Sequence, residues 1–419
     1  MNRIAVIGTG YVGLATGAGF ARLGHDVTCA DIDAAKVEQL NRGEVTILEP
    51  GLPELVRDGL DQGRLRFVVG AAEAARDCEF AYLCVQTPQD SMGAADMRFI
   101  EQAARDIGAV LPEGAIVVTK STVPVGATLL VAAALKRPDV AVVSNPEFLR
   151  EGSAMRDFLN PTRIVIGADA REVADRVAAL FRDVSAPVII TDPASAETIK
   201  YAANSFLAAK VSFVNSLSAV CEAVGADIQD VVLGIGTDPR IGTDFLQPGP
   251  GWGGSCLPKD TRALVHISAQ AGYDFSLLRS VIAANEEQFD RVVAKVSRAA
   301  GGDLRGRSVA AWGLAFKANT NDLRASPAME IIARLVAAGA EVRSYDPAVE
   351  EIDGLKVVDS AMEACDGADA LVVLTEWDEF RRVDWDEVGE RMRTRTVVDA
   401  RGVVDRAAAA RAGFTFVGI

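Results

Sequence analysis

One cysteine in this chain stands in a sequence context that favours nucleophilic chemistry. Cys256 follows a glycine-rich run over residues 251–255 and precedes Pro258, Lys259 and Asp260. Glycines let the backbone approach a ligand closely, and proline suits the first turn of a helix. A thiol at a helix N-terminus beside a lysine is shifted toward the thiolate, which is the nucleophilic form. Asp260, four residues after the cysteine, is placed to hold or activate a water molecule.

A dinucleotide-binding pattern opens the chain. Gly8, Gly10 and Gly13 form G-x-G-x-x-G between a predicted strand over residues 3–7 and a predicted helix. The first glycine makes the turn, the second admits a pyrophosphate, and the third lets helix and strand pack. Asp31 ends the next predicted strand, where it would accept hydrogen bonds from an adenosine ribose and repel a 2′-phosphate. This context favours NAD over NADP, and it favours a ribose contact over the alternative of an ordinary turn aspartate.

A redox cofactor and a covalent nucleophile in one chain predict an oxidation that passes through a thiol adduct. The bulk composition is compatible with such an enzyme. The 419 residues carry 49% hydrophobic and 24% charged residues and a net charge of −15. This length predicts two or three domains, and the acidic balance argues against binding nucleic acid or an anionic membrane through the bulk surface. The chain enters a strand directly and has no evident membrane-length apolar run, so we expect no signal peptide and a cytoplasmic protein.

The cysteine and histidine content limits the possible chemistry further. No pair of the six cysteines forms C-x-x-C, so we expect neither a zinc site nor any other metal site. Both histidines, His25 and His266, are interpreted as surface or packing residues. Any general base is therefore expected to be a carboxylate, a lysine or water. Four cysteines lie in apolar surroundings and read as buried side chains: Cys29, Cys78, Cys84 and Cys221.

Polar segments follow the further strands predicted in the first half of the chain. The predicted strands cover residues 80–85, 116–119 and 140–143. The segments that follow them are residues 86–88, 120–124 and 144–147. Ligands bind beyond the carboxyl ends of strands in an open parallel sheet, so these three tips are candidate sites. Strands over residues 163–166 and 188–190 are predicted to close this domain near residue 195.

The next hundred residues show helical periodicity. A long helix is predicted over residues 195–224, and a second over residues 271–299 is predicted to pair with it or with another subunit. The apolar stripe of the first helix comprises Leu207, Val211, Val214 and Leu217. Extended backward, this stripe reaches Asn204 and Lys200, which predicts an inward-facing functional pair. The alternative is that both residues cap a frayed helix end and point to water.

After residue 302 the α/β pattern returns and repeats the first half. The matching runs cover residues 308–313, 338–346, 369–375 and 396–402. This copy lacks G-x-G-x-x-G but has Phe316, Lys317, Arg324 and Arg401 in its loops. Cations that face phosphates predict a second nucleotide site of different character; the alternative is a degenerate domain kept for structure.

The predicted fold class is therefore α/β, with two doubly wound Rossmann-like domains joined by a central helical segment that contains a long helix. We assign residues 1–195 to an NAD-binding Rossmann domain. Residues 196–300 form a central segment for dimerisation and catalysis, and residues 301–419 form a second Rossmann-like domain that binds a nucleotide.

Five separate motifs resemble the UDP-glucose/GDP-mannose dehydrogenase family, and the similarity covers the whole chain. They are residues 8–14, 121–126, 145–152, 200–204 and 251–260. The resemblance implies an NAD-dependent, four-electron oxidation of a nucleotide sugar at C6, from alcohol to acid, through a thiohemiacetal and a thioester on Cys256. Residues 160–167 and 271–275 resemble the branch that converts UDP-glucose to UDP-glucuronate. The resemblance thus implies that residues 301–419 bind a UDP-sugar. A GDP-mannose 6-dehydrogenase or another nucleotide-sugar dehydrogenase of the family is the alternative.

The resemblance also implies roles for individual residues. The catalytic residues are Cys256 as nucleophile, Lys200 and Asp260 for acid–base chemistry and water, Asn204 for the oxyanion, and Thr122 and Glu151 for water. The cofactor-binding residues are Gly8, Gly10, Tyr11, Val12, Gly13, Asp31, Lys36, Thr87, Thr122, Glu151, Lys259 and Arg324. The substrate-binding residues are Glu147, Phe148, Leu149, Arg150, Lys200, Asn204, Arg240, Phe245, Gly251, Gly253, Phe316, Lys317 and Arg401.

Two features bear on assembly and pocket size. Arg240 matches a residue that reaches the sugar nucleotide across a dimer interface, so a homodimer or a higher homo-oligomer is expected. Trp252 stands where the family usually has Phe or Tyr. Two other functions are weighed against this one: a two-electron alcohol dehydrogenase, which needs no nucleophilic cysteine, and an NAD-binding redox sensor without turnover.

Overall fold

The computed structural model describes residues 1–88 and 95–419. The chain divides into two compact units. Unit 1 comprises residues 1–203 and 262–271, and unit 2 comprises residues 204–261 and 272–419.

Unit 1 is built on an eight-stranded sheet with the order β3-β2-β1-β4-β5-β6-β7-β8. Its strands are β1 (Arg3–Ile7), β2 (Asp26–Asp31), β3 (Leu65–Val69), β4 (Phe80–Leu83), β5 (Ile116–Thr119), β6 (Ala141–Ser144), β7 (Ile164–Gly167) and β8 (Val188–Thr191). Neighbouring strands are parallel except at the β6–β7 junction, where Ser144 pairs with Gly167 antiparallel. The first six strands follow the Rossmann order. Strand β3 was not predicted.

Both faces of this sheet are buried, which explains the continuous apolar strands in the sequence. Along β1, Ile4 and Val6 belong to one core cluster, and Ala5 and Ile7 belong to another on the opposite face. The covering helices are α1 (Tyr11–Arg22), α2 (Ala34–Asn41), α3 (Leu52–Asp61), α4 (Ala71–Ala75), α5 (Arg98–Gly108), α6 (Ala127–Leu135), α7 (Ala154–Leu159) and α8 (Arg171–Ala178), with a 3₁₀ turn at Ala179–Phe181.

Helix α9 (Pro193–Val224) is the long helix that the sequence predicts, and it begins two residues early. Its predicted apolar stripe is partly wrong. Val214 is buried, but Leu207, Val211 and Leu217 are only half-buried. The buried positions are mainly small or polar instead: Tyr201, Asn204, Ser205, Ala208, Ser212, Val214, Asn215, Ser218 and Cys221. The reason is that some of these side chains bond to backbone groups outside α9: Asn215 accepts from the Gly249 N–H, and Ser212 donates to the Val281 carbonyl oxygen on the helix over residues 276–299, which an apolar stripe cannot do. Lys200 and Asn204 are 3% and 7% exposed, so the inward-facing prediction for them is confirmed.

By length and composition alone, α9 is the one helix in the described part of the chain that is apolar enough to cross a membrane. In the structure, 33% of its most apolar window is buried. The expectation that no apolar run reaches this length is therefore wrong. The core helix of a soluble protein meets the same criterion, so this measure by itself assigns no location.

Unit 2 contains a second, six-stranded parallel sheet with the order β11-β10-β9-β12-β13-β14, which is again the Rossmann order. Its strands are β9 (Ser308–Trp312), β10 (Glu341–Tyr345), β11 (Lys356–Val357), β12 (Ala370–Val373), β13 (Thr396–Asp399) and β14 (Thr415–Gly418). The helices that follow α9 along the chain are α10 (Ile228–Gly236), α11 (Leu257–Gln270), α12 (Ser276–Ala299), α13 (Pro327–Ala337), α14 (Ala361–Ala364), α15 (Trp385–Arg391) and α16 (Arg406–Arg411), with a 3₁₀ turn at Asp378–Arg381.

The two sheets, of which the second is parallel and the first is parallel except at the β6–β7 junction, and the long helix confirm the predicted fold class. Strands β11 and β14 were not predicted, because the first has two residues and the second lies at the sheet edge. The second long helix starts at Ser276 and not at residue 271. The reason is that residues 271–275 form a turn and an irregular connection between α11 and α12.

Candidate active site

The dinucleotide turn of unit 1 has the close contacts that its glycines imply. Gly8 has φ +98°, and a Cβ there would lie 2.9 Å from the Cys84 carbonyl oxygen. A Cβ on Gly13 would lie 1.9 Å from the Gly8 carbonyl oxygen. At Gly10, which caps α1 without a side-chain hydrogen bond, a Cβ would meet no described atom within 4 Å. Open space beside bare N–H groups at a helix start suits a pyrophosphate, so these residues fit NAD.

Asp31 ends β2 beside this turn. It accepts hydrogen bonds from the backbone N–H of Thr9, at 3.1 Å, and from the Thr9 hydroxyl. Lys36 donates to the same carboxylate at 3.2 Å. Burial raises the pKa of Asp31, but the hydrogen bonds from Thr9 and Asp33 and the charge of Lys36 outweigh it and lower the pKa to about 2. The carboxylate is therefore ionised at any working pH and can accept ribose hydroxyls.

The tips of β4 and β5 are joined, as their positions in the parallel sheet predict. The Thr87 hydroxyl donates to the Thr122 carbonyl oxygen at 2.9 Å, and the Ser121 hydroxyl donates to the Val85 carbonyl oxygen at 2.5 Å. Thr122 is 8% exposed. These bonds hold Thr122, to which the resemblance assigns water binding, at the same end of the sheet as the dinucleotide turn.

Lys200 forms a buried ion pair with Glu147, which follows β6. The Lys200 ammonium nitrogen lies 2.8 Å from the carboxylate, and it lies 5.4 Å from the centroid of the Phe148 ring. The N–H of Leu149 donates to the same carboxylate at 2.7 Å. Burial raises the pKa of Glu147, but the charge and hydrogen bond of Lys200 and the Leu149 N–H lower it below its usual range. Glu147, which the resemblance assigns to substrate contacts, is thus in this structure the partner of the implied acid–base lysine.

A buried lysine that the sequence did not single out joins the tips of β5 and β6. Lys120 donates to the Asn145 side-chain oxygen at 3.0 Å, and the Asn145 amide donates to the Val165 carbonyl oxygen on β7 at 2.7 Å. Burial lowers the pKa of Lys120 to about 8. Asn145 supplies hydrogen bonds where β6 and β7 share a single ladder pair. Only its place in the polar segment after β5 marked Lys120 in the sequence.

Cys256 in unit 2 directly precedes α11 and is half-buried, whereas the other five cysteines are buried. The Ser255 hydroxyl oxygen lies 3.5 Å from its sulfur. One turn into the helix, Asp260 is 1% exposed. It accepts hydrogen bonds from the Asn204 amide and from the Lys259 ammonium group, each at 2.6 Å. Unit 2 therefore brings together a partly accessible thiol at a helix start, a buried carboxylate, an amide and a lysine.

The glycines before Cys256 are required by close packing. A Cβ on Gly253 would lie 2.1 Å from the Ala325 carbonyl oxygen. Gly251, at φ +128°, would bring a Cβ to 2.5 Å from the Phe289 ring, and Gly254, at φ +83°, would bring one to 2.8 Å from the Phe316 ring. This loop reaches the thiol along a path that other residues cannot follow.

Trp252 is held inside the protein by polar side chains. Asn285 on α12 accepts from the Trp252 N–H at 2.8 Å and donates to its carbonyl oxygen at 2.9 Å. The indole N–H donates to the Ser212 hydroxyl on α9 at 2.8 Å. Gly249 is held similarly: Asn215 accepts from its N–H, and Gln288 donates to its carbonyl oxygen. The Ser212 hydroxyl thus supplies the acceptor that the indole N–H of Trp252 needs when it is buried. Sequence reasoning missed these supporting residues, because polar residues on an apparently apolar helix carry no local signal.

The turn after β9 differs from the dinucleotide turn of unit 1. Asp346 directly follows β10, at the place that corresponds to Asp31 at the end of β2. It accepts hydrogen bonds from the N–H groups of Leu314 and Ala315 and from the Trp377 indole. The Asp346 carboxylate therefore accepts hydrogen bonds from groups of the protein, where Asp31 is placed to accept them from a ribose. This satisfied carboxylate agrees with a second nucleotide site of different character.

Cations stand at the neighbouring tips of the second sheet. The Arg401 guanidinium donates to the carbonyl oxygens of Leu374 and Phe316, at 2.9 and 2.8 Å, and lies 3.2 Å from Glu376. Lys317 lies with its ammonium group 5.3 Å from the centroid of the Phe316 ring. Phe316, Lys317 and Arg401, which the resemblance assigns to substrate contacts, thus lie together at the strand tips of this sheet.

Other implied contact residues lie at the surface. Arg150, Arg240 and Arg324 have half-exposed or exposed side chains and form ion pairs at 2.5–2.6 Å with Asp157, Asp238 and Asp322, respectively. Phe245 has φ +61° in the loop before Gly251. In the described part of the chain, no group of three or more histidines, cysteines or carboxylates is placed to hold a metal ion.

Family models match three consecutive parts of the chain. Residues 2–185 match the NAD binding domain of the UDP-glucose/GDP-mannose dehydrogenase family, residues 194–287 match its central domain, and residues 310–406 match its UDP binding domain. Together with the glycine turn, these matches define an NAD-dependent dehydrogenase. The chain belongs to the UDP-glucose/GDP-mannose dehydrogenase family.

Individual relatives agree over the full length. The UDP-glucose 6-dehydrogenase of Rhizobium meliloti (strain 1021) is 44% identical, with 100% of this chain and 99% of that protein covered. A solved UDP-glucose dehydrogenase from Pyrobaculum islandicum is 37% identical with a TM-score of 0.92, covering 100% of this chain and 97% of that one. A solved UDP-D-ManNAc dehydrogenase from Pyrococcus horikoshii is 30% identical with a TM-score of 0.89, covering 100% and 99%.

Proposed function

We propose that this protein oxidises UDP-glucose at C6 to UDP-glucuronate. Two hydrides leave the substrate carbon and one water enters, so each sugar consumes two NAD and yields two NADH. The observation that carries the proposal is the half-buried Cys256 at the start of α11, one turn from the buried Asp260 with its two hydrogen-bond donors. The Rhizobium and Pyrobaculum relatives are both named for UDP-glucose.

Cys256 divides the oxidation into two manageable stages. Its thiolate attacks the aldehyde carbon left by the first hydride loss and forms a thiohemiacetal, which prevents escape of the aldehyde. Loss of the second hydride converts this adduct to a thioester, and water cleaves the carbon–sulfur bond to release the acid and the thiol. Bound NAD supplies the hydride acceptor for both oxidations. A free thiol has a pKa of ~8.5, so the helix start and Lys259 are needed to favour the thiolate.

Three side chains handle protons and developing charge in this proposal. Lys200 takes the C6 hydroxyl proton in its neutral amine form and becomes an ammonium group, which then stabilises the oxyanion. Glu147 holds this ammonium group through the 2.8 Å ion pair. The Asn204 amide supplies a second donor to the oxygen. Asp260, Thr122 and Glu151 hold the water that cleaves the thioester.

The second sheet binds the nucleotide in this proposal. Lys317 and Arg401 offer cations to a diphosphate at the strand tips, where both contact Phe316. The description of the C-terminal family domain as UDP binding favours a uridine over a guanosine nucleotide. A GDP-mannose 6-dehydrogenase, or a dehydrogenase for another UDP-sugar such as that of the Pyrococcus relative, is the second candidate.

The stoichiometry of NADH separates the possible reactions. The purified enzyme is given a limiting amount of UDP-glucose, and NADH is counted by absorbance. Two NADH per sugar are expected; one would indicate a simple alcohol dehydrogenase, and none a redox sensor. A panel of UDP-glucose, UDP-N-acetylmannosamine and GDP-mannose, compared by kcat/KM, then assigns the sugar. A preference for GDP-mannose would overturn the substrate assignment but leave the chemistry intact.

The proposed enzyme is a cytoplasmic homodimer or higher homo-oligomer. Helix α9 exposes Phe206, Phe213 and Val220 at intervals of seven residues, with 67%, 59% and 55% of each residue exposed. An apolar row at this spacing on one helix face suits packing against a second copy. Residues 196–300 then serve both as the catalytic and as the dimerisation segment.

A further inference from the structure

A buried carboxylate that the motifs did not include lies near the dinucleotide turn. Glu49 is 2% exposed. One of its oxygens accepts a hydrogen bond from the Ala154 N–H at 2.7 Å. The other accepts from the Gly152 N–H at 2.6 Å and from the Tyr11 hydroxyl. The same Gly152 N–H also lies 3.0 Å from the Tyr11 hydroxyl oxygen, so the three groups form a closed triad.

This triad joins two segments that have different tasks. Tyr11 is the first residue of α1 and directly follows Gly10, beside the open space that suits a pyrophosphate. Gly152, at φ +75°, directly follows Glu151, and Ala154 begins α7. Glu49 therefore connects the cofactor turn with the turn that carries Glu151.

The triad has defined hydrogen-bond directions. Burial raises the pKa of the Tyr11 hydroxyl, and the hydrogen bond and charge of Glu49, with the charge of Glu151, raise it further. Tyr11 therefore stays protonated and donates, while the Glu49 oxygens accept. A carboxylate that only capped α7 would need no bond to Tyr11. The bond to the cofactor turn is what distinguishes Glu49 from a simple helix cap.

We propose that Glu49 is a positioning residue that sets the orientation of Glu151 for cleavage of the thioester, and that Tyr11 couples this orientation to the dinucleotide turn. The inference rests on the proposed function, in which Glu151 helps to hold the attacking water. Glu49 fixes the backbone on both sides of the Gly152–Ala154 turn, so its loss changes where the neighbouring Glu151 side chain points. Glu49 itself is assigned to neither cofactor binding nor adduct formation, which rest mainly on the glycine turn and on Cys256, so both should change much less than adduct decay.

The lifetime of the adduct on Cys256 tests this role. Enzyme is mixed with excess UDP-glucose and NAD and then separated from the sugar, and quenched samples are analysed by intact-protein mass. In Glu49→Gln, adduct decay should slow about 10- to 100-fold, as expected when a reacting group is misplaced. Adduct formation and the Kd for NAD should change less than about 3-fold, since the Gly8–Gly13 turn keeps its own contacts. Tyr11→Phe should slow decay less, and the double variant should decay no more slowly than Glu49→Gln alone, because both act through one triad.

Two matched variants control for general damage. Asp369→Asn alters a carboxylate that is also 2% exposed, but which accepts from the Ser308 N–H at the amino end of the second sheet. Tyr82→Phe removes a buried hydroxyl that has no hydrogen-bond partner among the described residues. Neither should change adduct decay.

The possible outcomes are distinct. Equal slowing of formation and decay in Glu49→Gln, or the same slowing in Asp369→Asn, would overturn the positioning role. If Glu49→Gln does not fold, Tyr11→Phe decides, and unchanged decay in it would overturn the role. If the wild-type enzyme forms acid without any adduct on Cys256, the proposed function itself fails.

Discussion

The ammonium group of Lys200 lies 2.8 Å from the carboxylate of Glu147, and each side chain is only 4% exposed. One residue comes from helix α9 and the other from the segment after β6. A buried ion pair of this kind is costly to form and more costly to break, since the remaining charge is left without a partner. The pair therefore links the proposed acid–base residue to the stability of the fold.

The first prediction concerns this pair. Glu147→Gln should lower the free energy of unfolding by about 3–5 kcal/mol at neutral pH, because it removes the carboxylate that pairs with the buried Lys200 charge. The pKa of Glu147 is depressed in the folded protein, so its contribution is present above the unfolded value of ~4.3 and is lost as the pH falls through the folded value. Urea unfolding of wild type and variant at several pH values should show the difference shrinking below about pH 4.

Glu38→Gln provides the control for this measurement. Glu38 on α2 pairs with Arg42 at the surface, where the side chains of Arg42 and Glu38 are 49% and 75% exposed. Its loss should cost no more than ~0.5 kcal/mol. A comparable loss of stability in both variants would show that burial of the Lys200 pair has no special effect.

The second prediction concerns the nucleophile. Cys256→Ser should bind NAD normally but release no uronate, because the serine hydroxyl is a far weaker nucleophile than a thiolate. In the wild type, iodoacetamide should alkylate Cys256 before any other cysteine, since the other five are buried. Peptide mass mapping and fluorescence titration of NADH check both statements. Acid release by the serine variant at the wild-type rate would rule out the covalent route.

The third prediction concerns cofactor choice. Asp31→Asn should lower kcat/KM for NAD about 10- to 100-fold, the effect of losing a charged hydrogen-bond acceptor, and should reduce the discrimination against NADP. Since the pKa of Asp31 is about 2, this residue should add no acid limb to NAD binding between pH 5 and pH 9. Asp26→Asn, at the other end of β2, is the control and should leave the NAD/NADP ratio unchanged. An unaltered ratio in Asp31→Asn would contradict the ribose contact.

The fourth prediction concerns the glycine loop. Gly253→Ala should destabilise the protein by roughly 1–3 kcal/mol, because its Cβ would lie 2.1 Å from the Ala325 carbonyl oxygen, a backbone atom that cannot turn aside. At Gly249 a Cβ would meet its nearest atom at 3.7 Å, so Gly249→Ala should leave thermal stability nearly unchanged. Calorimetry of the two variants tests the packing argument, which fails if their melting temperatures are equal.

The fifth prediction concerns assembly. Phe213→Glu places a charge in the exposed apolar row of α9 and should shift the protein from dimer or higher oligomer toward monomer, as measured by sedimentation velocity. Leu129→Glu is the control, since Leu129 is 73% exposed on α6 and lies outside this row. A wild-type protein that sediments as a monomer would exclude the proposed interface.

Periodicity and local motifs predicted much of this molecule. The glycine pattern before a helix predicted the turn at Gly8. The alternation of predicted strands and helices, repeated after residue 302, predicted two Rossmann units. The inward position of Lys200 followed from its spacing along α9, although three of the four apolar positions used for that argument are only half-buried. Strands and helices follow from residue types at short, regular spacings, so the sequence predicts them directly. The burial of single positions along α9 depended on tertiary packing as well.

The sequence alone determined the fold class, the family, the cofactor turn and the candidate nucleophile, because each depends on residue types at short, regular spacings. Only the tertiary structure decided that Glu147 pairs with Lys200, that Ser212 and Asn285 hold Trp252, and that Glu49 joins Tyr11 to Gly152. These partners are 33 to 103 residues apart in the chain. Such pairings arise because a buried polar group must find a donor or acceptor wherever the packed fold brings one, and no local pattern encodes that partner.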